Sequence, residues 1–281
     1  MEKSVGQLTA VPANERIDEK KTIARRKKRV QPIMLGSILP IVLIAVWEVL
    51  SRTGIFPAYQ LPAPTAILAT INGMFQDGTL FTHVGITTYR VFIGFLIGTV
   101  AAMVVGSIVG FYEKAEQLFD PLIQAFRSIP SLAWVPLFIL WMGIGEPSKV
   151  TMIAVGVFFP VYLNIIGGIA GVDRKLIEVG RMYGLNNLQL IRRVILPAAL
   201  PSFLTGVRSG LGLGWMFVVA AELMGASSGL GYLLVLGQNT LSPEIILSSI
   251  ILFAIIGKLT DWILKIIETR TLHWQDGMVK S

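Results

Sequence analysis

The residues of this chain that could do chemistry are charged side chains set into very apolar segments. Arg208 and Glu222 lie fourteen residues apart in one such segment, about 21 Å along a helix, so they cannot pair with each other. Glu48 and Arg52 are spaced to pair on one helix face. Ionisable residues inside membrane helices are costly and are candidates for function. Arg208 and Glu222 are therefore predicted either to line a pathway or to form structural ion pairs with other helices.

Catalytic signatures are absent from the sequence. The chain has no cysteine, which excludes disulfides, thiol nucleophiles and cysteine-ligated metals. His83 and His273 lie outside the apolar segments, so a hydrolase within the membrane would lack its base. Gly257-Lys258 lacks the preceding glycine and the following Ser or Thr of a phosphate-binding loop. The chain is therefore predicted to be no enzyme and to hold no cofactor or metal.

The composition indicates a membrane protein. Of 281 residues, 53% are hydrophobic and only 15% are charged, with a mean hydropathy of +0.69. Six stretches are apolar enough to be predicted as spans, at 33–51, 88–112, 131–146, 149–170, 202–224 and 245–267. The third is short and is interrupted by Pro136. We expect an all-α membrane protein with about six transmembrane helices, divided into a basic leader (1–31), a transmembrane domain (32–270) and a tail (271–281).

The positive charges predict the orientation of these spans. Nine of the 24 lysines and arginines precede residue 30, beside the first span, which favours an anchor on anionic lipid over nucleic-acid binding. With the N-terminus in the cytoplasm, that side collects 18 cations and the opposite side two. Both termini and the charged segment 174–197 are therefore predicted to be cytoplasmic.

Glycines at helical spacing predict close helix packing, with pairs at Gly94/Gly98 and Gly206/Gly210 among them. Gly210, Gly212 and Gly214 make the fifth span locally weak as a helix, and a bend there would free backbone groups to face a cavity.

Segment 174–197 predicts two short helices joined by a glycine turn. Arg174–Tyr183 has helical composition, and Gly184 suits a left-handed C-cap. Asn187 is positioned to cap a second helix that Pro197 would end. A charged loop of this length without a function is uncommon.

The spacing of this segment resembles the EAA loop of ABC-importer permeases. It reads Glu178-Val179-Gly180, three residues, Gly184, nine residues, then Val194-Ile195-Leu196-Pro197. The family has two alanines where Val179 and Gly180 stand, and isoleucine where Val194 stands. The resemblance implies short cytoplasmic helices that dock into a groove of an ATPase subunit. The residues that it implicates in ATPase coupling are Glu178, Gly180, Arg181, Tyr183, Gly184, Leu185, Leu196 and Pro197.

A wider resemblance runs from about Leu61 to Trp274. The stretches Phe159-Pro160-Val161-Tyr162-Leu163-Asn164 and Ala221-Glu222-Leu223 look like the nitrate, taurine and sulfonate branch of these permeases, closest to aliphatic-sulfonate permeases. The resemblance implies a type I importer in the plasma (inner) membrane: two permease copies, two cytoplasmic ATPases that bind ATP and Mg, and an external substrate-binding protein. Residues implied to line the pathway are Trp134, Tyr162, Asn164, Arg208 and Glu222.

The substrate that this resemblance implies is a small anion, an aliphatic sulfonate or taurine, with nitrate or bicarbonate as the alternative. Positive half-helix ends at kinks near Pro136 and Pro160 would favour an anion. A channel or secondary transporter without an ATPase is a remoter alternative. It would need coupling-ion carboxylates near the midplane or an inverted repeat, and the sequence has neither. A membrane scaffold would leave the spacing of segment 174–197 unexplained.

Overall fold

A computed structural model describes residues 38–274, apart from 55, 58 and the side chain of Ser131. The described part of the chain is helical and contains no strand. It divides into two compact units, the first ending at Ala66 and the second beginning at Ile67. The predicted leader and most of the predicted tail lie outside the described residues.

The first unit contains helix α1, residues 38–52. Glu48 Oε1 lies 2.5 Å from Arg52 Nε, which confirms the predicted pair. Thr65 donates to the same carboxylate from its backbone N–H at 3.2 Å and from its hydroxyl at 2.9 Å. This contact holds Thr65 against the end of α1 within the first unit.

The remaining helices follow one another with short connections. They are α2 (Pro64–Gln76), α3 (Thr79–Phe111), α4 (Glu113–Ser128), α5 (Val135–Met142), α6 (Glu146–Ala170), α7 (Arg174–Met182), α8 (Asn187–Leu190), α9 (Leu196–Leu223), α10 (Leu230–Asn239) and α11 (Pro243–Thr271).

Helices α3, α6 and α9 pack into the core of the second unit. A Cβ added at Gly98 would lie 2.4 Å from the Ala154 carbonyl oxygen, and one added at Gly156 would lie 1.9 Å from Phe217. The backbones therefore approach as closely as glycine allows, which confirms the predicted role of Gly98 in helix packing. Val157 and Val161 fill the centre of this core and are fully buried.

Three helices of the described part are long and apolar enough to cross a membrane. They are α3, α6 and the helix 187–223 that contains α9, which agrees with the predicted second, fourth and fifth spans. The first predicted span corresponds to α1 and the sixth lies within α11. The count of six and the placement of the termini stay predictions.

The third predicted span, 131–146, covers only the second half of a bent pair of helices. Helices α4 and α5 meet at 85° and count as one span only if this bent pair crosses together. The break lies at Ile129 and Pro130, whose backbones are extended with ψ of 124° and 122°. Pro136 does not interrupt a helix; it stands in the first turn of α5, where a missing N–H costs nothing.

The fifth span is expected to be locally weak as a helix at its glycines, but it is continuous there. Helix α9 runs unbroken through Gly210 and Gly214, which pack against α6. The irregular turn lies earlier, where Ile191–Ile195 form a π-helical turn and Leu196 N–H bonds to the Ile191 carbonyl. A wider turn makes room for the ring of Pro197, so the helix continues through the proline instead of ending there.

Candidate coupling element and ion-pair networks

Residues 174–197, here called the coupling element, begin with an amphipathic helix that ends at a glycine turn. Asp173 caps α7, its carboxylate accepting the Lys175 N–H at 2.9 Å. Gly184 has φ +75°. Leu185 N–H bonds to the Gly180 carbonyl at 3.1 Å and Gly184 N–H to the Arg181 carbonyl at 2.9 Å. These two bonds form a Schellman motif, so the predicted left-handed cap at Gly184 is confirmed.

The second helix of the element is capped one residue earlier than predicted. Asn186, not Asn187, is the N-cap: its side-chain oxygen accepts the Gln189 N–H at 2.8 Å, and the Gln189 side chain accepts the Asn186 N–H at 3.1 Å. This reciprocal pair is a capping box. The sequence signal was Gln three residues after Asn186.

Helix α7 lies against α8 through Gly180, which is buried. A Cβ at Gly180 would come within 2.6 Å of Leu190 Cδ1, so an alanine would displace that leucine. Leu190 itself is 5% exposed. Gly180 and Leu190 therefore hold the two short helices together as one body.

The outer surface of the coupling element is apolar and uncovered. Met182, Tyr183 and Leu188 are 86%, 84% and 74% exposed. Glu178 and Arg181 are also exposed, whereas Leu185 is half-buried. Exposed aromatic and apolar side chains with a charged rim are typical of a protein-docking surface.

A buried ion-pair network is centred on Arg90, in the N-terminal half of α3. Arg90 is 1% exposed. Its guanidinium lies 2.6 Å from Glu222 Oε1 and makes two bonds, at 2.5 and 2.7 Å, to Glu146. It also donates to the Ser228 carbonyl at 2.7 Å. Lys149, 3.4 Å from Glu146, brings the network to two cations and two carboxylates. The charges balance within the subunit.

Glu222 joins this network to helix α10 and is itself fully buried. Helix α10 has no side-chain cap of its own, and its first N–H groups bond to residues of other helices. Gly229 N–H bonds to His83 Nδ1 at 3.1 Å, Leu230 N–H to the Thr87 hydroxyl at 2.8 Å and Gly231 N–H to Glu222 at 2.7 Å. The α3 and α9 side chains therefore supply the cap that α10 lacks.

Arg208 belongs to a second network, between α9 and α11. Its Nε and Nη2 lie 2.6 and 3.1 Å from the two oxygens of Asp261, and its Nη1 lies 3.5 Å from Glu268. About a third of each Arg208 and Asp261 side chain is exposed. Arg208 thus has an ion-pair partner, and its charge is offset in this conformation.

The other predicted pathway residues lie apart from these networks. Trp134 is half-buried and stacks on Phe138, with 6.4 Å between ring centroids. Tyr162 is fully buried against Phe158, with 5.6 Å between centroids. Asn164 donates to the Pro160 carbonyl at 2.8 Å, and its Cβ faces Gly206 on α9. Helix α6 is continuous at Pro160, so no half-helix end exists there, contrary to the prediction.

The structure brings together only part of the predicted pathway set. Asn164 contacts α9 at Gly206, two residues before Arg208. Glu222 lies near the other end of α9, about 21 Å from Arg208 along the helix axis. Sequence reasoning missed the pairing of Arg90 with Glu146 and Glu222, and that of Arg208 with Asp261. The usable signal was that a buried cation needs a carboxylate on a neighbouring helix.

Helical architecture, apolar spans and an exposed element between two of them are features of a multi-span membrane protein. The chain matches the family of binding-protein-dependent transport system inner membrane components over residues 94–273, more than half of its length. It belongs to this family and is a membrane-embedded inner membrane permease.

Individual relatives agree with this assignment. A Bacillus subtilis protein named as an aliphatic sulfonates transport permease is 44% identical over 87% of this chain and 88% of its own length. The taurine transport system permease of Escherichia coli is 34% identical over 83% of this chain and 86% of its own length. The fold is similar to that of the MetNI methionine ABC transporter, with a TM-score of 0.59 and 21% identity over 67% of this chain and 94% of the other.

Proposed function

We propose that this chain is the permease subunit of an ATP-driven importer that carries aliphatic sulfonates or taurine. The observation that carries the proposal is the 44% identity, over 87% of the chain, to a permease named for aliphatic sulfonates. The match to the taurine permease supports the same chemical class, since both named substrates carry a sulfonate group.

The proposal includes a set of partners. Two copies of this chain would form the pathway, two cytoplasmic ATPases would bind ATP and Mg, and an external binding protein would deliver the anion. The family description, binding-protein-dependent transport, supports the external partner. The exposed Met182, Tyr183 and Leu188 on the coupling element support an ATPase partner, because a surface of this kind is stabilised by burial in a complex.

Within the coupling element the predicted residues divide into three roles. Glu178, Arg181 and Tyr183 are exposed and would contact the ATPase directly. Gly180 and Gly184 would hold the element in its conformation, Gly180 through close packing on Leu190 and Gly184 through its left-handed turn. The other implicated residues would link this body to α9: Leu196 and Pro197 lie in the continuous helix 187–223, and Leu185 lies in the turn that precedes it.

The proposed pathway is revised by burial. Trp134, Asn164 and Arg208 are partly exposed and are retained as lining candidates. Tyr162 and Glu222 are fully buried within the subunit and would act by supporting those surfaces. At Arg208 an incoming sulfonate would compete with Asp261 for the guanidinium, so the site would bind the anion weakly and release it.

Uptake into proteoliposomes tests this function. The permease, its cognate ATPase and its binding protein are reconstituted with ATP inside, and uptake of labelled taurine, an alkanesulfonate, nitrate and bicarbonate is compared. We expect ATP-dependent uptake of a sulfonate that requires the binding protein. ATP-dependent uptake of nitrate or bicarbonate alone would contradict the sulfonate assignment, and uptake without ATP would contradict the importer.

A further inference from the structure

An apolar groove lies between the C-terminal ends of α3 and α6 and the N-terminal end of α9. The distribution of positive charges predicts that these three helix ends face the cytoplasm. Its volume is about 190 Å³. Side chains of all three helices line it, and Ser107 is a polar exception; among the lining residues are Met103, Phe111, Ile169, Leu196 and Phe203. Met103 and Leu196 are 44% and 53% exposed, so the groove opens at the surface of the subunit. In a membrane-embedded protein such an opening faces acyl chains or another subunit.

Three cations lie within four residues of groove-lining residues along the chain. Arg192 and Arg193 lie one helical turn before Leu196, and Lys114 lies three residues after Phe111. All three side chains are exposed, and none forms an ion pair with any residue that the structure describes. Their positive charge is therefore available to a ligand.

Tyr112 fixes the depth of the mouth. It follows the last residue of α3 and is 65% exposed. Exposed tyrosines at the end of a membrane helix are typical of the boundary between hydrocarbon and headgroups. The groove then lies just inside the hydrocarbon, and the three cations lie at the level of the headgroups.

We infer that this groove binds one acyl chain of an anionic phospholipid from the inner leaflet, whose phosphate is held by Arg192, Arg193 and Lys114. Nearly all-apolar walls suit a hydrocarbon chain better than a peptide, whose backbone would be left without hydrogen bonds. Unpaired cations at the mouth favour an anionic headgroup over a zwitterionic one. The inference depends on membrane embedding and not on the identity of the transported anion.

The bound lipid would touch the coupling element and the core at once. Leu196 belongs to the coupling element, and Ile169 lies near the end of α6. A chain seated between them would stiffen the junction through which the coupling element moves α9. We therefore expect transport to require anionic lipid, whichever anion is carried.

Lipid titration of the purified permease–ATPase complex, followed by native mass spectrometry, tests the inference. Phosphatidylglycerol and phosphatidylcholine with identical chains are compared on wild type, on Arg192→Ala/Arg193→Ala and on Ser107→Leu, which fills the groove. Arg174→Ala/Lys175→Ala is the matched control, because it removes two exposed cations from the same element away from the groove.

We expect phosphatidylglycerol to bind more tightly than phosphatidylcholine. Its affinity should fall about thirty-fold in Arg192→Ala/Arg193→Ala, as expected for two surface cations, and should fall in Ser107→Leu, while the control pair stays as wild type. Equal binding of the two lipids, or an equal loss in the control pair, would overturn the inference.

Two further arms exclude other ligands. Glycerol phosphate carries the phosphate without the acyl chains. If glycerol phosphate bound as tightly as phosphatidylglycerol, the groove would contribute nothing to binding and the inference would be overturned. Loss of the ATPase from Arg192→Ala/Arg193→Ala with unchanged lipid affinity would assign the two arginines to the ATPase and overturn the inference.

Discussion

Removing Arg90 should destabilise the subunit mainly through the carboxylate that it leaves behind. Glu222 is fully buried, and Arg90 is its cationic partner at 2.6 Å. Breaking a buried ion pair by removing one member costs about 3–5 kcal/mol, because the other charge remains without compensation. Glu146 loses less, since its side chain is half-exposed and keeps Lys149 at 3.4 Å.

The prediction is sharpened by removing the second charge as well. Glu222→Gln keeps an oxygen that can accept the Gly231 N–H, which Glu222 now accepts at 2.7 Å. The double variant Arg90→Met/Glu222→Gln should therefore be more stable than Arg90→Met alone, with a coupling energy of about 2–3 kcal/mol. Glu222→Gln alone should cost less than Arg90→Met, because Arg90 keeps its two bonds to Glu146.

The assay is the free energy of unfolding in mixed micelles, measured by titration with a denaturing detergent. The pair Glu48 and Arg52, whose side chains are 21% and 66% exposed, serves as control, and the equivalent cycle there should give a much smaller coupling, because solvent reaches and screens both groups. If Arg90→Met were no less stable than the double variant, the buried carboxylate would not be the source of the cost and the reasoning would be wrong.

Three other predictions concern packing, pathway and topology. Gly156→Ala should lower the melting temperature, because its Cβ would lie 1.9 Å from Phe217, whereas Gly212→Ala, with open space around it, should not. Arg208→Ala should abolish uptake while the protein keeps its normal abundance. The second substitution Asp261→Asn, which neutralises the carboxylate left unpaired, should not restore uptake; restored uptake would assign Arg208 to structure alone. A cysteine at position 187 should resist an impermeant thiol reagent added to intact cells, and labelling from outside would contradict the cytoplasmic placement of the coupling element.

The helices and the family could be predicted from sequence because their signals are local. The apolar runs in α3, α6 and α9 exceed the thickness of a bilayer, and the spacing around Glu178 and Gly184 is fixed along the chain. The left-handed turn at Gly184 was predicted correctly for the same reason: both hydrogen bonds of the motif join residues within six positions.

Features that depend on distant residues were predicted poorly. Arg208 lies 53 residues from Asp261, and Arg90 lies 132 from Glu222, so no local pattern shows either pair. The glycines of α9 were misinterpreted because glycine weakens an isolated helix, whereas here Gly210 faces Val161 and the packing stabilises the helix. Pro197 was predicted to end a helix because a π turn cannot be recognised from sequence.

Retention of the ATPase by a Gly184→Val variant tests the central claim, that residues 174–197 couple this permease to an ATPase. Gly184 has φ +75° with no atom within 4 Å of an added Cβ, and Gly78 has φ +74° with the same open space, so Gly78→Val is the matched control. Each substitution forces a β-branched residue into a left-handed conformation at a cost of about 1–2 kcal/mol. Wild type and Gly78→Val should co-purify with the cognate ATPase, and Gly184→Val, inserted at normal abundance, should lose it together with ATP-dependent uptake. Full retention of ATPase and uptake by Gly184→Val would contradict the account.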